Sequence, residues 1–118
     1  MKLKPIIKFW LETKKGYIFG EGAFRLLSKI QELGTLKGAA EALGMSYRHA
    51  WGIIKGIEQK IGKSIIKTHK GGSFGGGGAE LTEEGILLMD EYLEVKEALM
   101  ETVNKIAGKN NETFIDLW

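Results

Sequence analysis

The amino-acid sequence predicts a mainly α-helical fold with a small β component. Two short amphipathic helices separated by three residues fall within residues 36–62. A glycine-rich run between two strand-like segments follows at residues 63–81. An apolar repeat typical of one long helix then extends to about residue 107. Together these three features predict a winged helix-turn-helix followed by a long C-terminal helix.

Composition restricts the function classes that need to be considered. The chain has 118 residues, which favours one compact domain, and it has no cysteine, which excludes disulfides and thiolate chemistry. Its two histidines have no acid pair near them at the spacing of metal ligands. We therefore expect no metal, no cofactor, no catalytic residue and no enzymatic activity. The sequence shows no signal peptide and no apolar run of membrane-spanning length, so we expect a cytoplasmic protein.

Charge is distributed unevenly, although the net charge is only +2. Residues 1–43 carry a net charge of +4, residues 44–78 carry +5 with Glu58 as their one acid, and residues 79–118 carry −7. A solvated acidic helix face would explain the last third of the chain but not the near absence of acids in the middle. A basic front and an acidic back are typical of a module that meets a polyanion with one face.

A β-hairpin is predicted near the N-terminus. The apolar, β-rich run at residues 6–11 is followed by Lys14-Lys15-Gly16, where the glycine supplies the positive φ of a tight turn. The apolar pattern resumes at residues 17–19. We expect this hairpin to cover one end of the helical core or to pair with a partner chain.

Two helices are predicted next. The first runs from Ala23 to Leu33, and Gly34 ends it. Its core-facing stripe consists of Phe24, Leu27, Ile30 and Leu33. Thr35 is the expected N-cap of the second helix, and Gly44 ends that helix in the left-handed conformation. The inner face of the second helix consists of Leu36, Ala39, Ala40 and Leu43.

The third helix is expected to begin after Ser46 as its N-cap and to end at Gly62. Its inner face consists of Ala50, Ile53, Ile54, Ile57 and Ile61. Its outer face presents Tyr47, Arg48, His49, Trp51, Gly52 and Lys55. Helices that read DNA use this end for base edges, and its positive dipole suits phosphate. The alternative is that Tyr47 and Trp51 are partly buried and that Arg48 is a solvated charge.

A wing is predicted after the third helix. A short strand over residues 65–69 precedes a segment, residues 71–78, in which six of eight residues are glycine, and residues 79–81 form the returning strand. Glycines let such a loop approach a phosphate backbone and offer it bare N–H groups. A flexible linker is the alternative.

The last helix is predicted from its cap, Thr82, to about Ala107, with Gly108 as the stop. A helix of about 26 residues would be about 39 Å long, more than the core of a small domain can cover. A second copy of the chain is the simplest partner, so we expect a homodimer. The alternative is an intramolecular helix that packs on the hairpin. The predicted dimer interface consists of Leu88, Tyr92, Val95, Leu99, Val103 and Ile106.

The chain is expected to divide into three parts. Residues 1–81 would form the winged helix-turn-helix with its N-terminal hairpin, residues 82–108 the dimerisation helix, and residues 109–118 a tail. The tail ends in the apolar run from Phe114 to Trp118, interrupted by one acid. It would dock on the dimer, bind a second protein or remain disordered.

Residues 17 to about 95 resemble the N-terminal DNA-binding domain of the molybdate-responsive regulators, the ModE family, which is related to the LysR-type winged helix-turn-helix. Residues 44–51, GMSYRHAW, and the glycine run that leads into residues 79–82, AELT, carry the resemblance. It implies a winged-helix homodimer on inverted-repeat DNA, with the long helix in the dimer interface. The residues that would face DNA are Ser46, Tyr47, Arg48, Trp51, Gly52 and Lys55. Full-length members continue into a domain that binds molybdate or tungstate, whereas this sequence ends at Trp118, so we expect no oxyanion sensing.

The residues predict a dimeric, sequence-specific regulator of transcription that binds double-stranded DNA, and the resemblance implies that its sites are inverted repeats. The third helix would read base edges, and lysines and wing N–H groups would hold phosphates. The predicted DNA-binding residues are Ser46, Tyr47, Arg48, His49, Trp51, Gly52, Lys55, Lys67, Lys70 and Ser73. Two alternatives stay open. One is a non-specific architectural DNA-binding protein, and the other is a protein-interaction module that uses Tyr47, Trp51 and the tail.

Overall fold

Eight elements of secondary structure follow one another in the order that the sequence predicts. The computed structural model describes residues 5–70 and 77–109. The elements are β1 (Leu11–Thr13), β2 (Gly16–Phe19), α1 (Glu21–Leu33), α2 (Leu36–Ala42), α3 (Tyr47–Ile61), β3 (Ile66–His69), β4 (Gly78–Leu81) and α4 (Glu83–Lys109). Within the described residues, β1 pairs with β2 and β3 pairs with β4, and both pairs are antiparallel. The predicted fold class is confirmed.

The first three helices pack around one hydrophobic core. Its fully enclosed side chains include Leu26, Leu27 and Ile30 from α1 and Ile54 from α3. Burying an aliphatic side chain of this size contributes about 1.5–3 kcal/mol relative to leaving it in water. The helix α2 adds Leu36, Ala39 and Ala40. Because the two alanines are small, α2 and α3 can cross closely, which sets the direction of α3.

Local capping signals fix where α2, α3 and α4 begin. The Oγ1 of Thr35 accepts a hydrogen bond from the N–H of Gly38 at 3.0 Å, and the Oγ of Ser46 accepts one from the N–H of His49 at 3.0 Å. Thr82 caps α4 through its Oγ1, 3.2 Å from the N of Gly85. The three predicted N-caps are therefore confirmed. A side-chain cap of this kind stabilises a helix by about 1 kcal/mol.

The N-terminal hairpin is confirmed, but it is shorter than predicted. Regular pairing in the described residues begins only at Leu11, next to a register shift between Leu11 and Glu12, and residues 5–10 have no regular secondary structure. The turn uses Gly16 at φ +95°. Nζ of Lys60, in the last turn of α3, donates to the carbonyl oxygen of Tyr17 in β2 at 2.6 Å. The hairpin therefore lies against the C-terminal end of α3.

The helix α1 differs from the prediction in where it begins and in which residues form its buried face. It begins at Glu21, two residues earlier than predicted, and Leu33 is 46% exposed although the stripe placed it in the core. Leu26, which the stripe omitted, is fully buried. The reason is a rotation of the buried face: the residues at positions 23, 26, 27 and 30 face the core, whereas Leu33 lies where the chain turns toward α2.

The strand pair β3–β4 is anchored to the end of α1. It pairs Ile66 with Leu81 and His69 with Gly78. The N–H of Ala79 donates to the carbonyl oxygen of Gly34, at the end of α1, over 2.8 Å. The base of the wing is thus held by the helical core. Residues 71–76, with the predicted phosphate contact Ser73, lie outside the described residues.

The prediction that Tyr92 belongs to a dimer interface is wrong. The side chain of Tyr92 is fully buried within the single chain. Its ring stacks on Phe9 at a centroid distance of 4.5 Å and meets Phe24 at 5.0 Å and the edge of Phe19 at 5.7 Å. Burial first, and then the Glu21 carboxylate, raises the pKa of Tyr92 to about 12. An enclosed ring has no surface left for a partner helix, so Tyr92 instead fixes α4 to α1 and the hairpin.

The helix α4 is longer than predicted, since it passes through Gly108 and reaches Lys109. Its 27 residues correspond to a length of about 40 Å. In the described part of the chain, the main core takes Leu88, Met89 and Tyr92 from α4, all from its first half. The glycine does not stop the helix because glycine in a helix interior costs only about 1 kcal/mol.

Candidate nucleic-acid interface

The N-terminal end of α3 presents a mixed aromatic and basic surface. The Ser46 cap and the buried Ala50 and Ile54 orient the first turns of the helix. Tyr47 is 52% exposed although it is a large aromatic residue. The outward side chains that are exposed are Tyr47, Arg48, His49 and Lys55, with the bare backbone of Gly52 beside them. Donors and apolar atoms thus lie side by side at a helix N-terminus, which suits the edges of base pairs.

Trp51 is half-buried and is held by its neighbours. Its ring meets Tyr47 edge to face, with centroids 6.2 Å apart and planes at 86°. Nζ of Lys55 lies 5.1 Å from the centroid of the Trp51 ring. The indole is therefore confined from two sides. It offers a rigid apolar edge that can contact a thymine methyl group.

A groove of about 810 Å³ separates α3 from the base of the wing. Tyr47 and Trp51 line the groove on the α3 side, and α2 contributes Lys37. The wing side contributes Thr68, His69, Lys70 and the backbone of Gly77 and Gly78. Among the described residues, no Asp or Glu lines this groove. A concave surface with cations, hydroxyls and bare glycine backbone is suited to a polyanion.

Lys37, Thr68 and His69 line the groove but were not among the predicted site residues. They belong to α2 and β3, and only the fold brings these elements beside Tyr47 and Trp51. For Lys37, the net positive charge of residues 1–43 was the one feature of the sequence that could have indicated a place in the interface. The sequence places His69 in a strand and gives it no role as a metal ligand. In the structure its ring lies so close to Gly78 that a Cβ there would collide with it. Lys67 is exposed on β3 but does not line the groove.

The predicted dimer residues other than Tyr92 fall into two groups. Leu88 is partly buried against the core and Val103 is buried, so neither offers much surface. Val95 and Ile106 are exposed by 39% and 57%, and Leu99 is intermediate. Ile86, Leu87 and Leu93 are further exposed apolar side chains on α4. The helix therefore carries more apolar surface than its own domain covers.

The described ranges contain no helix that is both long and apolar enough to cross a membrane. They also contain no group of three or more His, Cys, Asp or Glu side chains placed to hold a metal ion.

The helix crossing, the exposed N-terminus of α3 and the anchored β-ribbon define a winged helix-turn-helix of the kind found in bacterial regulators. Residues 22–86 match the family of bacterial regulatory helix-turn-helix proteins of the lysR family, and the chain belongs to that family. This match covers α1, α2, α3, both strands of the wing and the start of α4. It confirms the LysR-type helix-turn-helix that the sequence resemblance implied.

The chain is also similar to curated relatives named ModE. It is 30% identical over 94 residues to the molybdenum transport protein ModE of Herbaspirillum seropedicae, covering 80% of this chain and 35% of the relative. It is 36% identical over 67 residues to the transcriptional regulator ModE of Yersinia pestis, covering 57% of this chain and 25% of the relative. The chain thus spans about a third or less of the length of these relatives.

A solved structure supports the fold independently. The full-length LTTR LysG from Corynebacterium glutamicum, with its effector Arg bound, matches with a TM-score of 0.56 at 22% sequence identity. The match covers 74% of this chain and 28% of that chain. At this level of identity the similarity establishes the architecture alone.

Proposed function

We propose that this chain is a cytoplasmic transcriptional regulator that binds double-stranded DNA sequence-specifically as a homodimer on inverted repeats. The observation that carries the proposal is the groove between α3 and the wing, where Tyr47 and Trp51 lie beside Lys37 and Lys70 and none of the described lining residues is an acid. The lysR family match and the name of the Yersinia pestis relative, a transcriptional regulator, support its regulatory part.

Base reading is assigned to the first turns of α3. Arg48 is exposed there and has five donors in a planar fork, which suits the O6 and N7 of guanine in the major groove. Tyr47 and Trp51 present apolar edges for thymine methyl groups. Ser46 and His49 lie in the same first turn, and the absence of a side chain at Gly52 allows the DNA to approach closely.

Phosphate binding is assigned to cations on both sides of the groove. Lys37 on α2 and Lys70, directly after β3, line it, and Lys67 is exposed on β3. Such contacts fix the register of the protein on the duplex and carry no sequence information themselves. They release counterions, so they make the affinity depend strongly on salt.

Dimerisation is assigned to the second half of α4. Leu88 and Tyr92 belong to the core of their own domain, but the same helical stripe continues as Val95, Leu99 and Ile106. Val95 and Ile106 remain exposed in the single chain. A second copy of α4 would cover them, and it would place two α3 helices on one duplex with two-fold symmetry.

The direct test is equilibrium binding to a labelled random-sequence duplex of about 30 base pairs, a length that holds two half-sites. We expect binding whose logarithmic affinity falls linearly with the logarithm of salt, with a slope on the order of −5 for a dimer between about 50 and 200 mM salt. Absence of retention at the lower salt concentration would contradict the proposal. It would favour the protein-interaction module, with Tyr47 and Trp51 as its contact surface.

A further inference from the structure

Glu58 stands apart from its surroundings in charge and in burial. It is the one acid among residues 44–78, and only 12% of its side chain is exposed. Its Oε1 lies 3.2 Å from Nζ of Lys55, one turn earlier on α3. Its Oε2 accepts a hydrogen bond of 2.8 Å from the backbone N–H of Ile65, which precedes β3. Both oxygens of a nearly buried carboxylate are therefore engaged.

The pair of Glu58 and Lys55 leads directly to the aromatic surface of α3. The Lys55 ammonium group that meets Glu58 also lies 5.1 Å from the centroid of the Trp51 ring. Trp51 in turn meets Tyr47 edge to face. A cation over an indole face is a favourable contact, and a carboxylate behind the cation keeps it there. Lys55, whose side chain is 63% exposed, lies between Glu58 and Trp51 in the free protein.

The hydrogen bond from Ile65 connects the same carboxylate to the wing and to α4. The carbonyl oxygen of Ile65 accepts from the N–H of Thr82 at 3.0 Å, and the Oγ1 of Thr82 donates to the carbonyl oxygen of Ser64 at 2.7 Å. A Cβ at Gly85 would collide with the Ile65 carbonyl oxygen, so the first turn of α4 lies directly against this segment. Glu58 therefore joins α3, the start of the wing strand and the start of α4.

We propose that Glu58 is a positioning residue for DNA recognition, which holds the Lys55 ammonium group against Trp51 and fixes the wing to α3. This inference rests on the proposed DNA-binding function and deepens it. Lys55 was predicted to face DNA. In the proposal it supports the base-reading surface of Tyr47 and Trp51 and does not neutralise a phosphate. Glu58 also removes one mobile cation from the interface, which limits non-specific affinity.

Two substitutions separate these roles. Lys55→Met removes the cation but keeps the length of the side chain. Glu58→Gln keeps an acceptor for the Ile65 N–H but loses the charge that restrains Lys55. Each variant of the full chain is titrated with the duplex most enriched in a selection and with the random-sequence duplex pool, from about 50 to 200 mM salt.

For Lys55→Met we expect an unchanged salt slope and a two- to five-fold loss of discrimination between the two duplexes, about the range of a surface cation–π contact. For Glu58→Gln we expect a similar loss of discrimination and a salt slope that is steeper by about one, because the freed ammonium group now meets a phosphate. Lys29→Met is the matched control, since Lys29 forms the same kind of pair with Glu32 on α1, at 2.9 Å. It should change neither quantity.

The proposal is overturned if Lys55→Met makes the slope shallower by about one unit and leaves discrimination intact, since Lys55 is then a phosphate contact. It is also overturned if Glu58→Gln melts within a few degrees of the wild type and changes neither the salt slope nor the discrimination. Should Glu58→Gln fail to fold, the Lys55→Met result decides alone. Failure of the wild type to bind either duplex would refute the proposed function itself, which is a separate result.

Discussion

Arg48 and Lys67 are both exposed cations, and their positions give them different tasks at a DNA surface. Arg48 lies in the first turn of α3, beside the aromatic pair, whereas Lys67 lies on the ribbon of the wing. A guanidinium that reads a base edge contributes to the affinity for one sequence only. An ammonium group that meets a phosphate contributes equally to all sequences.

We expect Arg48→Ala to weaken binding to a specific site by about 1–3 kcal/mol and to relax the preference at one base pair. Lys67→Ala is the matched comparison, which should weaken binding to all duplexes alike and reduce the salt slope by about one unit. Competition binding with single-base variants of the site measures both effects. Equal weakening of every sequence by Arg48→Ala would show that Arg48 contacts only phosphate.

Tyr92 gives a prediction about stability and pH. The buried hydroxyl has no hydrogen-bond partner among the described residues, and burial raises the pKa from 10.0 to about 12. Because the folded-state pKa is the higher one, the unfolded chain loses this proton first as the pH rises. The contribution of the Tyr92 hydroxyl to the free energy of unfolding is therefore fully present below pH 10 and is lost as the pH rises from 10 to about 12.

Tyr92→Phe removes that proton and keeps the ring contacts. We expect its stability near neutral pH to stay within about 1 kcal/mol of the wild type, because the lost hydroxyl makes no hydrogen bond. When the pH is raised from below 10 to above 10, the melting temperature of Tyr92→Phe should fall by less than the melting temperature of the wild type. Thermal melts on both sides of pH 10 measure the difference, with the exposed Tyr47→Phe as control. An equal fall in Tyr92→Phe and the wild type would contradict the assignment.

At the scale of elements, α3 contains two glycines at positions where close packing does not require glycine. A Cβ at Gly52 or at Gly56 would find no atom within 4 Å. Glycine in a helix interior is unfavourable by about 0.5–1 kcal/mol relative to alanine. Something other than packing within the described residues must therefore account for Gly52, which is exposed beside Arg48.

We expect Gly52→Ala to stabilise the protein by about 0.5–1 kcal/mol and to lower its affinity for DNA, because the added methyl group faces the duplex. Gly56→Ala, one turn further from the reading end, should give the same stabilisation with the affinity unchanged. Chemical denaturation and DNA titration of both variants measure the two quantities. Equal affinity in both variants would remove Gly52 from the interface.

The elements were predictable where the signal is local. The caps Thr35, Ser46 and Thr82 act within three residues of themselves, and the structure has all three. Tyr92 was misassigned because an apolar repeat shows that a helix face is covered but not what covers it. The aromatic rings that enclose Tyr92 come from residues about 70 to 80 positions earlier in the chain, a separation at which periodicity carries no information.

The groove shows the same limit at the scale of the site. The contribution of α3 followed from its helical periodicity together with the Ser46 cap, so Tyr47 and Trp51 were predicted to point outward. Lys37 and His69 join them only because α2 crosses α3 and the wing folds back, which is a matter of tertiary packing. The sequence pattern indicates a basic module. It does not show that α2, α3 and the wing together form one concave surface.

At the scale of the whole molecule, binding to an inverted repeat requires a dimer, which we place on the second half of α4. Val95 and Ile106 are exposed along one stripe, and Leu93 lies about 160° around the helix from Val95. We expect Val95→Glu with Ile106→Glu to give a monomer in sedimentation velocity, because two charges would be buried against a partner without compensation. Leu93→Glu should leave the dimer intact. A monomer from Leu93→Glu alone would place the interface on the other face of α4.

Selection from a random duplex DNA pool at near-physiological salt, with sequencing of the bound fraction, tests the central claim most directly. We expect enrichment of an inverted repeat whose half-sites are separated by about one helical turn or a multiple of it. That spacing would report the distance between the two α3 helices. Retention of bulk DNA without an enriched sequence would contradict specific recognition and indicate an architectural protein. No retention would show that the groove between α3 and the wing does not bind DNA.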